Sequence, residues 1–207
     1  MANLVSRARL SRRRFVLGAV ALALAPATGA EDARLRRGAD DATLWAQLRR
    51  GGVVMLIRHT DTESAGDQPG YTLDDCSTQR NLSERGREDA VRIGERMRRE
   101  RVPIERVYTS PWCRCRETAT LAFGAAEDWE PLSSSFDVPH REEQYAERVR
   151  KRIGTYSTRK PKGNIVMVTH NLNIAALTRL SVMPGGVVVV RPDGCCGLHT
   201  LGQLVLV

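Results

Sequence analysis

Two uninterrupted apolar runs stand out along the chain, Val53-Val54-Met55-Leu56-Ile57 and Ile165-Val166-Met167-Val168. Runs of this length predict strands covered on both faces. Each stops abruptly on polar chemistry, the first on Arg58-His59-Thr60 and the second on Thr169-His170. Elsewhere the spacing is helical. Leu44, Trp45 and Leu48 recur at helical intervals over residues 42–50, and Gly51-Gly52 ends that helix. A polar loop runs to about residue 81, after which Ser83 caps a long helix with Ala90, Ile93, Gly94 and Met97 as its inner stripe. Residues 102–110 read as a further strand, and Pro111 as the first residue of a helix reaching about Phe123. A short strand is predicted near residues 129–132. A helix follows over 140–156, with Tyr145, Val149 and Ile153 on one side. Residues 171–180 are predicted helical. Residues 187–190 and 201–207 read as two strands joined across Pro192-Asp193-Gly194.

Strands alternating with helices predict an α/β fold: a three-layer α/β/α sandwich with a mainly parallel central sheet and an antiparallel edge. Ligands of such sheets gather beyond the carboxyl ends of the strands. Those ends carry Arg58-His59, Ser110 followed by Arg114, and His170.

Composition changes this picture mainly at the N-terminus. The net charge of +8 suggests nucleic acid as a partner until its location is seen. Residues 1–30 hold Arg7, Arg9, Arg12, Arg13 and Arg14 and no acid, so the rest of the chain carries only +3. No nucleic-acid partner is therefore expected. In the same segment a basic start precedes an apolar stretch from Val16 to Ala25, and small residues follow at Ala25-Pro26-Ala27 and Thr28-Gly29-Ala30. These are the parts of a bacterial secretion signal. The apolar stretch is short of the ~20 residues that span a bilayer, so no stable membrane span is expected after processing. Ser11-Arg12-Arg13-Arg14-Phe15 resembles a twin-arginine signal, a receptor-read address. The expectation is a twin-arginine-type signal peptide over 1–30, a spacer over 31–41 and one globular domain over 42–207. The export machinery would then be a partner, and the periplasm or cell envelope the destination.

Five cysteines are present: Cys76, Cys113, Cys115, Cys195 and Cys196. Pairs 113/115 and 195/196 are too close for easy internal bridges, and no C-x-x-C occurs. Free thiols packed as small apolar groups are at least as good a reading as any particular disulfide.

Two arginines and two imidazoles around one phosphoryl group would neutralise its oxygens and supply a nitrogen nucleophile. Of the four histidines, His59 and His170 directly terminate buried strands, whereas His140 and His199 read as ordinary surface residues. At this point the chain resembles the histidine phosphatase superfamily, also called phosphoglycerate mutase-like. Leu56-Ile57-Arg58-His59-Thr60 resembles its first motif. Gln79-Arg80-Asn81-Leu82-Ser83-Glu84-Arg85-Gly86 resembles the segment that follows. Tyr108-Thr109-Ser110-Pro111-Trp112-Cys113-Arg114 through Ala119 resembles the second-arginine motif, and Val168-Thr169-His170-Asn171 the closing one. The four occur in the family's order over roughly residues 52–207.

The resemblance implies a phosphorylated substrate, a phosphohistidine on His59, and a phosphate pocket of Arg58, Arg114 and His170. Arg80 is a further candidate contact, balanced against a solvated loop residue. Arg116 competes with Arg114, but the spacing to Ser110 and Thr118 favours Arg114. The family's proton donor has no clean match. Asp137, Glu142 and Glu143 are available, with Glu142 or Glu143 preferred by distance from Arg114, and a reaction without a protein donor stays open. No phosphate-binding glycine loop or metal-ligand cluster is present, so neither metal nor organic cofactor is expected. The short chain and the apparent export signal favour an exported phosphatase over a phosphoglycerate-type mutase. A non-catalytic envelope protein that keeps an anion pocket is the alternative from another class.

Overall fold

The computed structural model describes residues 41–64, 66–67, 69–156, 162–193 and 197–207. The signal and nearly all of the spacer, together with Cys195 and Cys196, lie outside the described residues. The elements in order are α1 (residues 41–50), β1 (Val54–Arg58), α2 (Glu84–Arg99), β2 (Ile104–Thr109) and α3 (Cys113–Phe123). There follow β3 (Glu127–Asp128), α4 (Glu142–Tyr156), β4 (Asn164–Thr169), α5 (Asn171–Thr178), β5 (Val187–Asp193) and β6 (Gly197–Leu204).

One sheet runs in the order β3-β2-β4-β1-β5-β6. Strands β3, β2, β4 and β1 are mutually parallel, while β5 and β6 add antiparallel strands on the β1 side. This is the expected mainly parallel sheet with an antiparallel edge. Alternation along β1 divides the core. Val53, Met55 and Ile57 face Leu44, Trp45 and Leu48 of α1, Met97 of α2, and Cys115 and Ala119 of α3. Val54 and Leu56 face Ala146, Val149 and Ile153 of α4, and Ile174 and Leu177 of α5. Side chains on successive strand residues point to opposite faces, so a strand covered by helices on both sides must be apolar throughout.

Local chemistry explains where the elements begin. The Ser83 hydroxyl accepts from the Gly86 amide at 3.0 Å, satisfying one of the unpaired donors at the start of α2. A Cβ on Gly86 would stand 2.1 Å from the Asp61 carbonyl, and one on Gly94 2.1 Å from that of Ala122. Those two glycines let α2 press against the loop after β1 and against α3.

Two expectations need correction. Pro111 is not helical: α3 begins at Cys113, with Trp112 as its extended N-cap. The Trp112 amide turns back to the Ser110 hydroxyl, which delays the helix by two residues. The short strand falls at Glu127–Asp128 rather than at 129–132. Residues Glu130–Leu132 instead form a 3₁₀ turn, with Pro131 in its first positions.

The thiols are also settled in part. Cys76 and Cys113 are disulfide-bonded, their Cα atoms 5.7 Å apart, and Cys115 is a buried free thiol. Free packing was the wrong reading for the first pair. The bridge joins residues on separate elements, a proximity that spacing within 113/115 or 195/196 does not reveal.

Candidate active site

The parallel register places β1 and β4 side by side, with Arg58 opposite Thr169. One residue further on, the His59 amide donates to the Thr169 carbonyl at 3.0 Å, and the two histidine rings lie 5.4 Å apart. Gly186 and Gly185 hold this end of β1 from the other side. The Arg58 amide donates to the Gly186 carbonyl, and the Gly185 amide approaches the carbonyls of Arg58 and His59 at 3.2 Å. Gly185 has φ +76°, a conformation glycine adopts without steric penalty.

Arg58, His59, Arg80, Arg114 and His170 all line one cleft of about 440 Å³. Thus the five predicted phosphate-site residues come together. His59 is buried, and its Nδ1 lies 2.8 Å from the Thr60 carbonyl. A carbonyl only accepts, so Nδ1 carries the proton and Nε2 keeps its lone pair. Burial lowers the imidazole pKa to about 3; the Thr60 hydrogen bond opposes this, and the charges of Arg114, Arg58 and Arg80 add to it. His170 is buried at the N-terminus of α5, and burial again pushes its pKa well down, helped by His59 and the arginines. Its Nε2 lies 2.9 Å from the Ser110 hydroxyl and 3.5 Å from the Cys115 thiol.

The arginines are held rather than loosely displayed. Arg58 donates to the Val182 carbonyl at 2.7 Å. Arg114, 2% exposed, packs its guanidinium over the Trp112 ring at 4.4 Å and pairs with Asp67 at 3.0 Å. The buried Nε groups of Arg58 and Arg114 have no hydrogen-bond partner. Unsatisfied guanidinium donors in a buried cleft are costly unless an anion completes them. Arg80 donates through its backbone amide to Asp67 at 3.0 Å and through its side chain to the Ser64 carbonyl. Arg116 is ion-paired with Asp128 at 2.6 Å and does not line the cleft. Of the two, it is Arg114 that lines the cleft.

The preferred acids do not line the cleft. Glu142 accepts from the Ser135 hydroxyl at 3.1 Å in a separate small depression, and Glu143, largely exposed, pairs with Arg150 at 2.8 Å. Both belong to the first turn of α4, where an acid favours the helix N-terminus. The acids that do line the cleft are Asp67 and Asp137. Asp67 is committed to Arg114 and Arg80. Asp137 accepts from the Tyr71 hydroxyl at 2.7 Å, and burial together with this bond raises Tyr71 to about 12, so the phenol stays a donor. Asp67 and Tyr71 carried no sequence signal, since a loop acid and a loop tyrosine belong to no motif. His140 falls in the 3₁₀ turn before α4, and His199 on β6 opposite Arg191.

Arginines and buried imidazoles gathered at the carboxyl end of a parallel sheet make a site suited to an anionic group in an α/β protein. More narrowly, the model of the histidine phosphatase superfamily, branch 1, matches residues 54–135 of this chain. Solved structures share the fold at low identity. Phosphoserine phosphatase from Entamoeba histolytica, in complex with phosphoserine, aligns with TM-score 0.54 and 14% identity over 73% of this chain and 95% of that one. YhfR from Bacillus stearothermophilus gives 0.53 and 19% over 72% and 95%. The protein histidine phosphatase SixA, complexed with tungstate, gives 0.50 and 18% over 73% and 96%. No curated protein matches the chain. Among the described residues, no group of three or more metal-ligating side chains is placed to hold an ion. No described helix is long and apolar enough to cross a membrane.

Proposed function

We propose that the protein is a phosphohydrolase that cleaves phosphate monoesters through a phosphohistidine on His59. The observation that carries this reading is the fixed tautomer of His59. Its Nδ1–H is spent on the Thr60 carbonyl, so the unprotonated Nε2 is the ring's nucleophile, in the cleft lined by Arg58, Arg114 and His170. With its pKa near 3, the ring is an uncharged nucleophile throughout the physiological range.

In the first step Nε2 attacks phosphorus and the bond to the leaving oxygen breaks in line with it. The Arg58 and Arg114 guanidiniums bind the equatorial oxygens, and their unpartnered Nε donors are thereby satisfied. Ser110 already accepts from the Trp112 amide, so its hydroxyl proton is free for Nε2 of His170. Neutral His170 then carries its own proton on Nδ1, available to a phosphoryl oxygen. Asp137, the lining acid not paired with an arginine, gives a proton to the leaving alkoxide. In the second step that carboxylate takes a proton from water as its oxygen attacks phosphorus. The P–N bond returns its electron pair to Nε2, and inorganic phosphate leaves. The Thr60 carbonyl stabilises the ring while it carries positive charge.

The test is to quench the protein during turnover of a phosphomonoester and look for acid-labile phosphate on His59. His59→Ala should form none and lose turnover by on the order of 10⁴–10⁶-fold. Binding of inorganic phosphate without any phosphoenzyme or turnover would instead establish an anion-binding protein. For the N-terminal segment we propose export through the twin-arginine machinery to the periplasm or envelope, on the strength of Arg12-Arg13 and the apolar stretch behind them. Lysine at both positions should leave the protein in the cytoplasm, as fractionation would reveal; unchanged delivery would point to another route.

A further inference from the structure

Beyond the phosphoryl site the same cleft changes character. Phe136, 76% exposed, and Leu172, 38% exposed, both line it, joined by Pro69 and the Tyr71 ring. A phenyl group this exposed is a poor use of surface unless something covers it. The cleft is also much larger than a phosphoryl group needs; about 440 Å³ falls in the range of sites that enclose a whole small molecule. Its charges are divided by depth of function. The lining cations, among the described residues, are Arg58, Arg80 and Arg114, and these belong to the phosphoryl site. The lining acids are Asp67, paired with Arg114, and Asp137, next in sequence to Phe136. A second phosphate or a carboxylate on the substrate would find no further lining cation to offset it.

We infer that the cleft selects phosphomonoesters whose alcohol part is apolar, best when it carries an aromatic ring, and bears no further negative charge. The inference rests on the phosphatase reading and assigns its substrate class. Phe136 and Leu172 cover the ring of the alcohol part, while polyanionic sugar phosphates and bisphosphates find no lining cation beyond those of the phosphoryl site. Burying one ring against two apolar side chains is worth about tenfold or more in kcat/KM, given that a single methylene in an apolar pocket contributes 10–200-fold.

The experiment compares esters with leaving alcohols of similar basicity, so that chemistry does not masquerade as recognition. The full-length protein should hydrolyse 2-phenylethyl phosphate at least tenfold better in kcat/KM than ethyl phosphate. It should hydrolyse 3-(phosphonooxy)propanoate at least tenfold worse than propyl phosphate. In the double variant Phe136→Ser/Leu172→Ser the phenylethyl-to-ethyl ratio should fall toward one. Val205→Ser, which removes an exposed apolar side chain outside the cleft, should keep the original ratio. A wild-type ratio near one, or a ratio that survives the double substitution, overturns the inference. If no ester is hydrolysed, the phosphatase reading fails on its own. Titration calorimetry of the two esters with His59→Ala then decides the cleft's preference, and equal affinities overturn it.

Discussion

The floor of the cleft and its walls are made by different means. On the floor, Arg58 ends β1 and His59 and His170 directly continue β1 and β4; parallel pairing fixes their separation before any side chain acts. The walls are loops, one of them leading from His59 to Ser83 and the other from Trp129 to the start of α4. Their side chains meet where the Tyr71 hydroxyl donates to Asp137. The first wall is tied to α3 by the Cys76–Cys113 bridge and by Gln79, whose side chain accepts from the Cys113 amide at 3.0 Å. The second wall is held by hydrogen bonds to neighbouring strands and helices, such as Thr169 Oγ1 to the Leu132 carbonyl and Asn173 Nδ2 to the Ser133 carbonyl, both at 2.7 Å. A backbone-built floor suits chemistry that tolerates little displacement. Walls made of loops suit a substrate class that can change without disturbing that chemistry.

If this division holds, the largest effect at a wall should come from the lining acid that no arginine holds. Asp137→Asn should lower kcat on an alkyl phosphate by on the order of 10²–10⁴-fold, and far less on an aryl phosphate with a good leaving group. Equal losses on both esters would mean that Asp137 holds the wall without donating a proton.

The floor should reveal itself through pH. The folded protein keeps His59 neutral down to about pH 3, whereas an unfolded imidazole takes its proton near 6.5. As pH falls below 6.5 the unfolded chain gains a proton that the folded chain refuses, so stability declines until about pH 3. The full difference amounts to roughly 5 kcal/mol at most, since each unit of pKa is worth about 1.4 kcal/mol. Denaturant titrations from pH 7 to 4 should show the loss, and His59→Gln should make it shallower, leaving the share of His170, whose pKa burial also lowers. An unchanged slope in that variant would assign the acid sensitivity to other groups.

A somewhat smaller effect belongs to the bridged wall. Closing a loop with a sequence separation of 37 is worth about 4 kcal/mol in the chain-entropy picture, within the usual 2–5 kcal/mol for a native disulfide. Cys76→Ser/Cys113→Ser should lose that stability and raise KM, with kcat less affected, because Arg80 and Tyr71 reach the cleft from the tethered loop. A loss of kcat alone would contradict this placement. The smallest effect should come from Glu142→Gln and Glu143→Gln, each within about twofold of the parent on both esters. A selective loss on the alkyl ester in either variant would reinstate the acid that distance along the chain favoured.

The same division explains what could be read from the sequence. Continuous apolar runs announced β1 and β4, and their abrupt ends announced Arg58, His59 and His170, because a strand terminus is a local event. Arg114 was legible because its helix follows directly on β2. The walls depend on contacts between distant loops. Nothing near Asp67 signals Arg114, and nothing near Tyr71 signals Asp137. The placement of Glu142 and Glu143 outside the cleft was hidden for the same reason: the start of α4 spends them on Ser135 and Arg150. Cys76 and Cys113 gave no sign of their pairing until the loop and α3 were seen together.

The register of β1 against β4 has a consequence for how activity is acquired. His59 and His170 are far apart in sequence and adjacent only through parallel pairing, the kind of non-local contact that chains form late and slowly. A slip of one residue between these strands would turn one set of side chains to the opposite face and dissolve the pair. Recovery of turnover during refolding should therefore lag the return of helical signal, making the catalytic assay a kinetic reporter of when the central strands lock.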